Sequence, residues 1–141
     1  MRTTVKAVLA ALVVAAGTTL FVASPAHASF DYTCFGYTST FRSGTHIRWA
    51  DWNNDGRGDE CFGVGDLRRI FHAWPNSGGW KVMPNNGRAD DVMYAQNTSI
   101  GHRVAVHTDS DGNYYSYLPP GGSWRGWYAC DSQCSYVEAQ S

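Results

Sequence analysis

Arg69-Ile70-Phe71-His72-Ala73-Trp74-Pro75-Asn76-Ser77-Gly78-Gly79-Trp80-Lys81-Val82-Met83 reads as a strand, a turn and the opening of a second strand, and the chain repeats it. Asn113–Trp127 aligns with it without gaps at a shift of 44 residues, placing Pro75 on Pro119, Gly78 on Gly122, Trp80 on Trp124 and Lys81 on Arg125. The matched positions have structural roles, since the proline ends a strand, the glycine turns the chain, and the tryptophan opens the next strand. A period near 44 is that of a four-stranded propeller blade.

Outward from these segments, glycine, asparagine, aspartate and serine interrupt the sequence at short intervals, and the pieces between them are aromatic or β-branched. That pattern predicts an all-β domain. The expected strands are Tyr32–Tyr37, His46–Trp52, Glu60–Val64, Arg69–Trp74, Trp80–Met83, His102–His107, Tyr114–Leu118 and Trp124–Ala129. A helix is hard to find, and the best place for a single turn is near Arg88–Met93, where Ala89-Asp90-Asp91 offers a start but no apolar 3.6-residue period continues it.

The N-terminus is read as an address. Arg2 and Lys6 make a basic start, Val8–Ala23 is mostly apolar, and Ala26-His27-Ala28 is a small-x-small cleavage site, so residues 1–28 are expected to be a secretory signal peptide. Residues 29–141 are then a single secreted β domain of 113 residues, with no membrane association once the signal is removed. A closed propeller needs at least four blades, and this length supplies about two and a half. The expectation is a compact, disulfide-stapled β domain built from about two propeller-blade-like repeats, over 46–85 and 102–130, arranged as a sandwich, a small barrel or a partial propeller. Uncovered blade edges would instead favour a homo-oligomer.

Twelve acids against nine bases give the exported part a net charge of −3, which argues against a nucleic-acid partner. Cys34, Cys61, Cys130 and Cys134 all lie in the exported part, and an even number in an oxidising compartment reads as two disulfides. Three pairings are open. Cys34–Cys61 with Cys130–Cys134 is favoured, because the first ties the N-terminal strand to a later one and the second closes a short Cys-Asp-Ser-Gln-Cys turn. The weaker alternative is zinc held by Cys130 and Cys134 with His72, His102 or His107.

Asp51-Trp52-Asn53-Asn54-Asp55-Gly56-Arg57-Gly58-Asp59 places oxygen-bearing side chains at positions 1, 3, 5 and 9 around a glycine. Calcium needs six to eight oxygens, and glycine permits the sharp turn that lets a short loop supply them. The expected ligands are Asp51, Asn53, Asp55 and Asp59, with Arg57 giving its main-chain carbonyl. Phe62 occupies the twelfth position, where a helical EF-hand requires glutamate, and the flanks are strand-like. The loop resembles the FG-GAP/VCBS repeats of integrin-type β-propellers, whose blades carry Asp-x-Asx-x-Asp-Gly-x-x-Asp. Asp109-Ser110-Asp111-Gly112 resembles Asn53–Gly56 at a shift of 56, but with His107 and Tyr115 in the first and ninth places no calcium is expected there.

Arg69–Trp74 followed by Gly78-Gly79-Trp80 is also similar to repeats of propeller lectins, a resemblance that implies sugars held on aromatic faces. Six tryptophans and eight tyrosines exceed what so small a core can hide, and exposed rings favour binding partners. The candidate ligand-binding residues are Trp74, Tyr114, Tyr117 and Trp127, with Trp127 expected to face outward, while Trp80 and Trp124 are also candidates but are read as core anchors of the two repeats. The function expected is a secreted, calcium-stabilised module that binds an extracellular carbohydrate or protein. The alternatives are an inhibitor of an extracellular hydrolase, acting through a protruding Leu118–Gly122 loop or the loop at Met83-Pro84, and a small hydrolase using a His/Asp pair. An enzyme is the less favoured reading, and no catalytic residues are assigned.

Overall fold

Ten strands, all paired antiparallel, make up the computed structural model, which describes residues 28–130 and Cys134. The expected signal segment lies outside the described residues except for Ala28. The first two strands, β1 (Ser29–Cys34) and β2 (Tyr37–Arg42), form a hairpin. Phe35 and Gly36 both take positive φ, 52° and 83°, as a two-residue hairpin turn requires. The single strand expected over Tyr32–Tyr37 is therefore split by that turn.

Two four-stranded meanders follow. One contains β3 (Arg48–Ala50), β4 (Glu60–Val64), β5 (Ile70–Ala73) and β6 (Lys81–Val82), and the other β7 (Asp91–Thr98), β8 (Gly101–Thr108), β9 (Gly112–Leu118) and β10 (Arg125–Ala129). The shift of 44 residues carries each strand of the first meander into the strand of the same rank in the second, with no gap anywhere. The repeat seen in two segments thus extends over four strands. The second unit starts at Asp91, well before His102, because the helical turn expected at Arg88–Met93 is instead the approach to β7 and its first residues.

The same register reassigns one turn. The acidic loop between β3 and β4 has as its counterpart the tight turn between β7 and β8, where Gly101 has a φ of 123° and a Cβ would strike the carbonyl of Leu118. Asp109–Gly112 belongs to the β8–β9 turn, so its likeness to Asn53–Gly56 links two connections of different rank.

The two sheets bury one core. Phe62, Val64 and Ile70 from the first meet Val92, Val104 and Val106 from the second, joined by Met83 and Ala89. Each fully buried side chain of this kind is worth roughly 1.5–3 kcal/mol. The back of the first sheet is covered by the β1–β2 hairpin. Phe41 packs edge-on to Trp80 at 4.6 Å, and Gly63 leaves the space that Phe41 and Ile47 occupy; a Cβ there would lie 2.6 Å from Ile47 and 2.7 Å from Phe41. All five residues of β4 are consequently buried, on two opposite faces.

Cys34–Cys61 joins the hairpin to β4, and a second disulfide links Cys130, just after β10, to Cys134. Both favoured pairings are present, and the zinc alternative falls because its cysteines are oxidised. Asp90 provides a polar tie: Arg42 of β2 and Arg68 each donate to it at 2.8 Å, and the Asp109 amide donates at 2.9 Å. Burial alone would push this carboxyl up, but the Asp109 amide, then Arg68 and Arg42, outweigh it and hold the group below the ordinary aspartate value.

Candidate tryptophan pocket

Alternation along β4 and β5 sends Glu60, Phe62, Ile70 and His72 to one face, since Phe62 stands opposite His72 and Val64 opposite Ile70. Phe62, Val64 and Ile70 fill the core, whereas Glu60 and His72 lie at the end of the sheet and line a cavity of about 530 Å³. The second sheet brings the matching end of its own strands: His102 opens β8, Leu118 ends β9, and Trp124 precedes β10. Trp52 after β3 and Trp74 after β5 complete the aromatic wall.

The polar floor is closely tied. Glu60 and His72 are each only 6% exposed, and Nδ1 of His72 lies 2.6 Å from Oε1 of Glu60. The indole Nε1 of Trp52 donates to the other carboxylate oxygen at 3.0 Å. With Nδ1 engaged by Glu60, Nε2 is the His72 nitrogen that can address the cavity. The His72 ring stacks near Phe62, 6.1 Å away, and has Trp74 at 4.8 Å and Trp124 at 6.4 Å. His102 lies edge-on to Trp52 at 4.2 Å, and its Nδ1 is buried without a hydrogen-bond partner.

The acidic loop positions this wall. Asp59 accepts from the main-chain amide of Trp52 at 2.7 Å, while Asn97 of the other sheet donates to the Trp52 carbonyl at 2.6 Å. Every polar group of Trp52 is thereby satisfied, and its ring is held against the pocket. Within the loop, Asp51 accepts from the amides of Asp55 and Gly56, Asn53 from Asp55, and Asp55 from Arg57. The donor set is all oxygen and suits a hard cation in kind. Among the described residues no three His, Cys, Asp or Glu side chains gather closely enough to hold a metal. A calcium ion would therefore need Asn53 and main-chain carbonyls such as that of Arg57 beside Asp51, Asp55 and Asp59.

The four ligand-binding candidates do not meet in one place. Trp74, 38% exposed, lies on the pocket. Tyr114 and Trp127 line a smaller hollow with Arg68 and Asp111; both pack against the core, and the Trp127 indole donates to the Pro84 carbonyl at 3.3 Å. Trp127 is therefore half-buried and not an outward-facing ring. Tyr117 is on the outer face of the second sheet, with Tyr115 and Tyr128 at ring separations of 5.5–6.5 Å and the Arg103 guanidinium 4.6 Å from the Tyr115 ring.

Among the described residues two His–Asp pairs of the expected kind exist, His46–Asp91 at 2.7 Å and His107–Asp109 at 3.3 Å, and neither lies on the tryptophan pocket. The buried pair uses glutamate instead. Sequence reasoning missed Trp52 and Glu60 as site residues, and it considered Trp124 but read it as a core anchor of its repeat. The signal that could have found Glu60 was the alternation Glu60/Phe62/Val64 against Ile70/His72/Trp74, whereas the shift of 44 pairs Trp124 with Trp80, which packs on Phe41 away from the pocket.

No family model, no curated protein and no solved structure matches the chain.

Proposed function

We propose that this protein is a secreted binding module that holds a carbohydrate in the tryptophan pocket, with calcium at Asp51–Asp59 stiffening the loop that places Trp52. The observation that carries the reading is the convergence of Trp52, Trp74 and Trp124 on one cavity with a fixed polar floor. Indole faces bind the apolar faces of sugar rings at little conformational cost, and a small number of placed polar groups then fixes orientation. Calcium would be held by Asp51, Asn53, Asp55 and Asp59 with the Arg57 carbonyl, and it would supply charge neutralisation among these acids.

The inhibitor alternative is disfavoured. Leu118 and Gly122 from one suggested loop, and Pro84 from the other, line the pocket, and the Asn85 side chain donates to the Trp124 carbonyl at 3.2 Å. Both loops serve as its rim. The hydrolase reading keeps one supporting observation, since a carboxylate on Nδ1 of His72 fixes the ring as it would for a general base.

A glycan array probed with the exported form, with and without calcium, tests the binding reading. Trp74→Ala should abolish any signal while leaving the melting temperature within a few degrees, because Trp74 is exposed. An array blank in both conditions would refute the carbohydrate reading. Release of shortened sugars from a bound oligosaccharide, lost in His72→Gln, would favour the hydrolase.

A further inference from the structure

Resting on that reading, we infer that the pocket selects a sugar bearing a free ammonium group, that is, an amino sugar that is not N-acetylated. The lining carries two carboxylates, Asp59 and Glu60, and among the described residues no lysine or arginine. Glu60 is nearly inaccessible, and its partners are a histidine and an indole. The contrast with the half-buried Asp90 is direct, because that carboxylate is matched by two arginines. Asp59 likewise spends its oxygens on the amides of Trp52 and Asn53 and on the Asn53 side chain.

The walls add to this field. An indole presents a negative face, and a cation set among several such faces is attracted by each, more strongly where water is excluded. Three indoles and the Glu60 carboxylate, with two histidines but no lysine or arginine in the lining and with Asp59 left to the acidic loop, therefore make a pocket complementary to positive charge. The remaining polar groups favour a polyol as the carrier of that charge. The His102 ring and the Ser123 hydroxyl line the same cavity and can meet ligand hydroxyls. A hydroxylated ring with an ammonium substituent satisfies indole faces, these polar groups and the Glu60 charge together.

Isothermal titration of the exported chain with a glucosamine tetramer and with its fully N-acetylated counterpart tests the inference at a mildly acidic pH below the pKa of the sugar amine, where that amine is mostly charged. The expected result is that the glucosamine tetramer binds about tenfold more tightly or better, and that its affinity falls as salt is raised. Glu60→Gln should remove most of the preference. Should that variant fail to fold, the salt dependence of the wild-type protein still decides. Equal affinity for both tetramers, without salt dependence, overturns the charge selection and leaves carbohydrate binding standing. Binding of neither tetramer, or of a lysine-rich peptide alone, overturns the amino-sugar assignment. No array signal for any sugar would in addition remove the reading on which it rests.

Discussion

The two meanders are built to one register, yet they differ at the end where the pocket lies. At a shift of 44 residues Trp52 corresponds to Gln96, Glu60 to Val104, His72 to Ser116 and Trp74 to Leu118, while the core position Phe62 corresponds to Val106. The core face keeps its apolar character in both units. The first unit has replaced ordinary sheet residues by a buried acid–histidine pair and two indoles, and it has lengthened its first connection into the acidic loop. What the two units share is what folds each of them, and what distinguishes the first from the second supplies the pocket's acid–histidine pair and two of its three indoles, the second unit adding His102 and Trp124.

The largest effect expected from breaking this difference is at Glu60. Glu60→Val alone copies the second unit but leaves His72 and the Trp52 indole buried without an acceptor, and it should cost about 3 kcal/mol, the lower end for a broken buried pair. Adding His72→Ser copies both positions and should recover part of that, because removing both partners of a buried interaction costs less than removing one. A double-mutant cycle by urea denaturation measures the coupling, expected at about 1–3 kcal/mol. Additive effects would mean that the pair does not act as a unit.

The disulfides sharpen the comparison at similar size. Cys34–Cys61 closes a separation of 27 residues and pins the hairpin onto the first unit, whereas Cys130–Cys134 closes 4 at the end of the second. Loop-closure entropy gives roughly 3–4 kcal/mol for the first and about 2 kcal/mol for the second. Thermal unfolding of the two paired Cys→Ser variants should rank them in that order.

Asp90 ties the hairpin to the second unit, and Asp90→Asn should cost about 2 kcal/mol, less than a fully buried pair because Arg42 and Arg68 keep some access to water. The folded-state value of this carboxyl lies below that of the unfolded chain, so its contribution is present above the unfolded value near pH 4 and is lost as pH falls through the lower folded one. The acid unfolding limb should therefore flatten in Asp90→Asn. An unchanged limb would show that other carboxylates set it.

The smallest effect concerns the acidic loop, which is already closed by side chain-to-amide hydrogen bonds. Calcium at a tenfold excess over its Kd should add about 1.4 kcal/mol, removed by chelator and absent in Asp51→Ala. A melting temperature indifferent to chelator would contradict the calcium assignment while leaving the pocket intact.

Much of this fold was legible because its signals are local. Glu60–Val64 is a strand at the expected bounds, and Pro75, Gly78 and Trp80 mark a real turn. β7 was missed because Asp91–Thr98 mixes acid, methionine, glutamine and asparagine and owes its place to pairing with β8. The turn at Phe35-Gly36 was hidden by the aromatic run around it. The pocket was less legible still, since Trp52, His72 and Trp124 are far apart in the chain and meet only through sheet register. Tyr117 and Trp127 drew attention by residue type, and type alone does not tell an open face from a packed one.

Two-dimensional NMR of the tryptophan indole N–H groups during titration with a glucosamine tetramer tests the central claim most directly. The Trp52, Trp74 and Trp124 signals should shift together and saturate, while Trp49 and Trp80, which belong to the hairpin side of the first sheet, stay in place. Shifts confined to Trp49, Trp80 or Trp127, with the pocket indoles unmoved, would contradict it.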